Sequence, residues 1–148
     1  MLRNSPYVCA YSFDPGDSTG VTRVQYGPGP GVTIRLWTFS QEEFMEFLSV
    51  EPIVDTPRLL MYESFISRAG LFSRTQVAPE IVGAIKLWAK LGRFSLLSIQ
   101  PSQTHKIRRE DVKAAGWTWK TEHEFDAIRI LIYGLTMLRY GPDASAKL

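Results

Sequence analysis

At residues 7–20 the chain reads YVCAYSFDPGDSTG, and this stretch decides the fold. It begins with a short apolar run and passes into the turn formers Asp14, Pro15 and Gly16, which predicts a buried strand followed by a tight turn. Residues 20–26 and 32–39 are predicted as two further strands, because the intervening run GPGPG cannot continue a helix or an inner strand. The three strands are therefore expected to form an antiparallel meander.

Helices and strands alternate in the rest of the chain. Ser40 is a good N-cap, and Glu42 and Glu43 suit the first turn of a helix that we expect to end near Leu48. Residues 58–63, RLLMYE, lack polar alternation, which indicates a strand covered on both faces. The later predicted elements are a helix over 79–91 ended by Gly92, a strand over 94–99, a short basic helix over 108–115 ended by Gly116, and a helix from the Thr121–Glu124 capping box to about Tyr140.

The order β-β-β-α-β-α-β-α, with the short basic helix before the last one, predicts an α/β fold. Strands four and five follow helical crossovers and should pair in parallel, so we expect a mixed five-stranded sheet with three antiparallel strands, two parallel strands and helices on both faces. The length of 148 residues suits a single domain over 1–148, with a frayed tail from about residue 141. On the second long helix the expected buried residues are Ile81, Val82, Ile85, Trp88 and Leu91.

Composition excludes several classes of protein. The chain is 45% apolar and 22% charged, which is typical of a globular protein. Its single cysteine, Cys9, excludes an internal disulfide and a cysteine-based zinc site, and we expect it to pack in the core. No apolar run approaches the roughly 18 residues of a membrane span, and the first residues lack the pattern of a secretory signal, so we expect a cytoplasmic protein.

Charge is distributed unevenly along the chain. Residues 1–63 carry 4 Lys/Arg and 8 Asp/Glu, for a net charge of −4, whereas residues 64–148 carry 13 Lys/Arg and 7 Asp/Glu, for a net charge of +6. A basic second half fits a polyanionic partner, although solvated helix faces would give the same asymmetry.

Acidic residues end two of the predicted strands. Asp14 follows the first strand and Glu63 ends the fourth, and neighbouring strand ends would place the two carboxylates side by side. Two close carboxylates repel each other unless a cation lies between them, and Mg²⁺ or Mn²⁺ prefers such oxygen ligands. Asp14 could instead be a simple turn former, but a carboxylate after four apolar residues, as at Glu63, needs a partner.

The start of the last helix carries two more candidate ligands. His123 and Asp126 are three residues apart, so they share one helix face, and the helix dipole favours a negative charge there. If that face meets the strand ends, four groups converge and could hold two metal ions for phosphodiester cleavage. Taken singly, His123 could be a surface residue and Asp126 a helix-start residue, whereas Glu124 is interpreted as a cap and Asp17, Asp111 and Glu122 as solvated.

The ordered set of motifs resembles a known family. Asp-Pro-Gly-x-Ser-Thr-Gly after the first strand, Glu63 ending the fourth, and His-x-x-Asp opening the last helix resemble the RuvC-type Holliday-junction resolvases of the RNase H-like nuclease superfamily. The likeness covers about residues 7–140 and is strongest to the short bacteriophage forms. It implies a cytoplasmic, Mg²⁺-dependent endonuclease, with Mn²⁺ able to substitute, acting as a homodimer on four-way DNA junctions in recombination and repair.

Carried over by position, the resemblance implies that Asp14, Glu63 and Asp126 are metal-binding catalytic carboxylates and that His123 is the fourth catalytic residue, binding metal or moving a proton. The family often has an aromatic wedge after the glutamate, for which Phe65 and Phe72 are both candidates here. Basic residues flank the proposed site along the chain, and we expect them to contact DNA phosphates: Arg68, Arg74, Lys106, Arg108, Arg109 and Lys113.

Two other functions compete with a junction endonuclease. A non-catalytic relative that binds branched DNA would ignore added metal, but it has no need for clustered carboxylates. An actin-like phosphotransferase or ATPase also has an Asp-x-Gly-x-Thr phosphate loop, but those enzymes bind nucleotide between two domains of this topology. One domain of 148 residues supplies half of such a cleft, so no nucleotide cofactor is expected.

Overall fold

A computed structural model describes residues 8–27, 31–51, 58–64 and 77–138. The predictions for Phe65, Arg68, Phe72, Arg74, Tyr140 and the tail lie outside these residues. The elements in chain order are β1 (Val8–Asp14), β2 (Ser18–Tyr26), β3 (Val32–Ser40), α1 (Gln41–Val50), β4 (Arg58–Glu63), α2 (Val77–Gly92), β5 (Ser95–Ile99), α3 (Pro101–Thr104), α4 (Arg109–Ala114) and α5 (Glu122–Met137).

The five strands form one mixed sheet in the order β3-β2-β1-β4-β5. Strands β1, β2 and β3 pair antiparallel as a meander, whereas β4 pairs in parallel with both β1 and β5. This confirms the predicted α/β class, the three antiparallel strands and the two parallel strands.

Strand alternation divides the core into two layers. Cys9, Tyr11 and Phe13 of β1 pack with α1 and α2 on one face of the sheet, which confirms the core position of Cys9. Ala10 of β1 and Met61 of β4 pack with α5 on the opposite face. Both faces of β4 are therefore covered, as its unbroken apolar sequence predicts.

Helix caps form where the sequence predicts them. Ser40 and Glu43 make a reciprocal capping box at the start of α1, and Thr121 and Glu124 make another at the start of α5. The Glu124 carboxylate accepts hydrogen bonds from the Lys120 and Thr121 backbone N–H groups at 2.6 and 3.1 Å, which confirms its role as a cap.

One local prediction was wrong, and one short helix was missed. Leu91 is 67% exposed, because the buried stripe of α2 is Ile81, Ile85, Trp88 and Ala89 and Leu91 lies to one side of it. The short helix α3 was not predicted, since four residues carry too little periodicity.

No helix within the described ranges is both long and apolar enough to cross a membrane.

Candidate active site

Asp14 and Glu63 end the two central parallel strands. The register pairs Phe13 with Tyr62, so the next residues, Asp14 and Glu63, leave the sheet at the same edge. Because side chains alternate along a strand, both residues share the face of Ala10 and Met61, which is the face that α5 covers. The two carboxylates therefore lie on neighbouring strand ends, as the order of the strands predicts.

Helix α5 begins directly over these strand ends. The buried Ser12 hydroxyl donates a 2.6 Å hydrogen bond to the Ala127 carbonyl, and the hydroxyls of Thr38 and Thr121 are also 2.6 Å apart. Gly20, which pairs with Asp14 across β1 and β2, lets the α5 backbone approach: a Cβ built there would lie 1.9 Å from the His123 carbonyl oxygen. The first turns of α5 are thus held against three strands.

This arrangement brings His123 to Asp14. The imidazole Nδ1 lies 3.4 Å from Asp14 Oδ2, with 45% of the His123 side chain and 19% of the Asp14 side chain exposed. The pKa of the Asp14 carboxyl is raised to about 7, chiefly by burial and next by the nearby charges of Asp126 and Glu63, while the contact with His123 opposes the shift. The Asp14 carboxyl therefore lies within electrostatic reach of both Asp126 and Glu63.

Glu63 and Asp126 each have a partner of their own. The Thr104 hydroxyl, on α3, donates a 2.9 Å hydrogen bond to Glu63 Oε2. Arg129, one turn further along α5, forms an ion pair with Asp126. Among the described residues, no three His, Cys, Asp or Glu side chains already converge as a metal cluster.

The donor set nevertheless fits a hard divalent cation. Carboxylate oxygens are the ligands that Mg²⁺ and Mn²⁺ prefer, and a cation among the three would relieve the repulsion that helps to raise the Asp14 pKa. Binding would require Asp126 to turn from Arg129 or to share its second oxygen.

The Asp14 pKa predicts a pH-dependent stability. Because the folded-state pKa lies above the ordinary value of 3.8, folding favours the protonated carboxyl, and stability falls as pH rises from about 4 through about 7. In metal-free buffer, Asp14→Asn should unfold at higher urea than the wild type near pH 8, and this gain should shrink by about 2 kcal/mol near pH 5. Asp17→Asn, at an exposed residue, is the control and should follow the wild type. Equal gains for Asp14→Asn at both pH values would contradict the prediction.

Of the six basic residues predicted to contact DNA, the four that the structure describes lie on or before α4. Lys106, Arg108, Arg109 and Lys113 are all exposed. Arg108 pairs with Asp111, and Arg109 makes a bidentate pair with Glu122 at 2.9 and 2.8 Å, so neither acid is simply solvated. Lys106 and Lys113 have no acidic partner in the described part of the chain, which leaves their charges available to an anion.

Three residues of the site were missed from the sequence. Arg129 follows Asp126 by three residues on one helix, so its spacing was a usable signal. Gly20 lies within the quoted motif, but its close contact with α5 is a tertiary contact that the sequence motif does not reveal. Thr104 carried no signal, because its approach to Glu63 depends on the unpredicted helix α3.

Sheet order and helix placement define an α/β fold of the RNase H-like class. No family profile matches the chain, and no curated protein matches it by sequence. Among solved structures, the chain is similar to RuvC of Thermus thermophilus, with a TM-score of 0.63 and 16% identity over 90% of this chain and 96% of that one. A Thermus thermophilus RuvC in complex with a Holliday junction substrate matches at the same TM-score and coverage, with 14% identity. The fold is therefore RuvC-like.

Proposed function

We propose that this protein is a divalent-metal-dependent endonuclease that nicks branched DNA, with four-way junctions as its first candidate substrate. The observation that carries the proposal is that Asp14 and Glu63 end neighbouring parallel strands under the start of α5, where His123 Nδ1 lies 3.4 Å from Asp14 Oδ2 and the charges of Asp126 and Glu63 help to raise the Asp14 pKa. The RuvC-like fold supports it, since one similar structure holds a Holliday junction substrate.

Asp14, Glu63 and Asp126 would hold the metal ions. When bound, divalent ions lower the pKa of water and neutralise charge that develops on a phosphate. The charges of both other acids act on the Asp14 carboxyl, so Asp14 is our candidate for a ligand shared between metal ions. His123, half exposed and beside Asp14, would complete the ligand set or hold a proton for the departing strand.

Exposed cations that precede α5 in the chain would position the DNA. Lys106 and Lys113 lack acidic partners among the described residues, and both precede α5 in the chain. Contacts from such residues to phosphates raise affinity without reading sequence. Arg108 and Arg109 would join them by exchanging their carboxylate partners for phosphates. We further propose that the protein acts as a homodimer in the cytoplasm, cutting two opposed strands, as expected of a bacteriophage resolvase.

The decisive experiment is incubation of the purified protein with a labelled four-way junction. We expect paired nicks with Mg²⁺ or Mn²⁺, and none after EDTA removes the metal, because the acids alone cannot activate water. A linear duplex of the same sequence controls for general nuclease activity and should be cut far more slowly. An intact junction at all metal concentrations would reject the proposal.

One observation favours a second candidate, a non-catalytic protein that binds branched DNA. Arg129 already neutralises Asp126, so the Asp126 carboxylate does not need a bound metal ion to balance its charge. Such a protein would bind the junction with the same affinity in EDTA and in Mg²⁺ and would leave every strand intact.

A further inference from the structure

An open hollow lies between α4 and the segment that leads into α5. It has a volume of about 520 Å³ and is lined by Arg109, Lys113, Gly116, Trp117, Thr118 and Trp119. This volume falls within the range of small-ligand sites, which is about 300–1,000 Å³. Neither the three acidic residues nor His123 line it, so it is separate from the candidate active site.

The local backbone creates the hollow. Gly116 has a φ of 93°, in the left-handed region that favours glycine, and its N–H donates to the Lys113 carbonyl at 2.9 Å. The chain therefore reverses after α4, and the Trp117 N–H donates to the Val112 carbonyl at 3.3 Å. Both tryptophan side chains are thereby brought alongside the helix that carries Arg109 and Lys113.

Trp119 forms an aromatic platform with two cations over its ring. Its ring packs against Phe125 with the ring centroids 4.8 Å apart, yet the side chain remains partly exposed. The Arg109 guanidinium carbon lies 5.8 Å and the Lys113 Nζ lies 5.9 Å from the centroid of the Trp119 ring. Packing in the hydrophobic core accounts for the contact of Trp119 with Phe125, but such packing does not require two exposed cations over the Trp119 ring.

The two cations play different parts. Arg109 is bound to both carboxylate oxygens of Glu122, so its charge is neutralised and its position is set. Lys113 has no acidic partner among the described residues, so its ammonium group can bind a phosphate. Glu122 directly precedes His123, which places the hollow beside the end of α5 that meets the strand ends.

We infer that this hollow binds one unpaired nucleotide, with its base stacked on Trp119 and its phosphate on Lys113. Every base has a π-face that can stack on a partly exposed indole, and Lys113, which lies over the ring, would turn outward to bind the attached phosphate. A paired base is already stacked on both sides within a duplex, so the hollow selects bases that are unpaired or that open at a branch point. The inference rests on the proposed function, because it names a substrate contact next to the site of cleavage.

Metal-free binding assays test the hollow without strand cleavage. The probes are a fluorescent single strand of about 12 nucleotides and a duplex of the same sequence, titrated in EDTA with wild type and variants. Trp119→Leu should weaken single-strand binding about tenfold, whereas Trp119→Phe, which keeps a ring, should stay within about threefold. Neither change should alter duplex binding more than about twofold.

Lys113→Gln tests the phosphate contact at an exposed position, so the test survives if Trp119→Leu fails to fold. If Lys113 contacts one phosphate, its replacement should make the slope of log affinity against log salt concentration shallower by about 0.7 for the single strand. Lys86→Gln, at an exposed residue of α2, is the matched control and should leave the slope unchanged.

The possible outcomes distinguish a failure of the nucleotide-binding inference from a failure of the proposed endonuclease function. Unchanged single-strand affinity in Trp119→Leu together with an unchanged salt slope in Lys113→Gln would overturn the inference, even if the wild type nicks junctions. Equal losses for single strand and duplex, or Trp119-dependent binding of a glutamate-rich peptide in place of the oligonucleotide, would also overturn it. Trp119-dependent single-strand binding by a protein that never nicks a junction would support the hollow and reject only the endonuclease.

Discussion

If the protein is the proposed endonuclease, replacing Asp14 by asparagine should reduce nicking of a four-way junction by about a hundredfold to a thousandfold. Asparagine keeps the shape of the side chain but removes the charge that a shared metal ligand must carry, and the loss of one such electrostatic contact costs about 10²–10³ in rate. Initial rates of nicking at saturating Mg²⁺ measure the effect.

The matched control is Asp17→Asn, three residues away in the turn after β1. Asp17 is exposed, so its variant should nick within about twofold of the wild-type rate. Junction binding in EDTA should be at least as tight for Asp14→Asn as for the wild type, because one negative charge near the DNA has gone. If Asp14→Asn nicks at the wild-type rate, a role for Asp14 as an essential metal ligand is excluded.

Gly20→Ala should lower the free energy of unfolding by about 3 kcal/mol or more. The added Cβ would lie 1.9 Å from the carbonyl oxygen and 2.4 Å from the carbonyl carbon of His123, and both are backbone atoms that move only with the helix. The start of α5 must therefore shift away from β2, which would also move His123 and Asp126 from the strand ends. Urea unfolding measures the loss, and nicking by the folded fraction measures the displacement.

Two other glycines calibrate this prediction. Gly83 lies on α2 in open space, with nothing within 4 Å of the point that a Cβ would occupy, so Gly83→Ala should raise stability by about 0.5–1 kcal/mol through helix propensity. At Gly134 the close atom is the Met61 Sδ, the flexible end of a side chain, so Gly134→Ala should cost less than Gly20→Ala. A Gly20→Ala protein as stable as the Gly83→Ala protein would mean that α5 does not pack as described.

Local chemistry made much of the fold predictable. The Thr121–Glu124 capping box and the limits of β4 depend on neighbouring residues, and both are confirmed. Strand pairing was also predictable, because a helical crossover dictates a parallel neighbour. Leu91 was placed wrongly because an apolar residue at the end of a helix can fall on either side of the buried stripe.

The site was predictable only in part. Strand ends and helix starts locate Asp14, Glu63 and Asp126 at one edge, because topology decides where they lie. Their partners follow from side-chain packing: Thr104 reaches Glu63 from a helix that has no sequence signature, and Arg129 competes for Asp126. The metal-binding roles of the four residues stay predictions.

The hydrogen bond from Ser12 to Ala127 spans 115 residues of sequence, and its consequence concerns timing. During synthesis on the ribosome, the sheet strands emerge well before α5, so a growing chain can present Asp14 and Glu63 while His123 and Asp126 are still missing. A half-made protein would then lack part of the proposed site, and any cleavage activity that the site has would arise only when the long-range closure of α5 is complete.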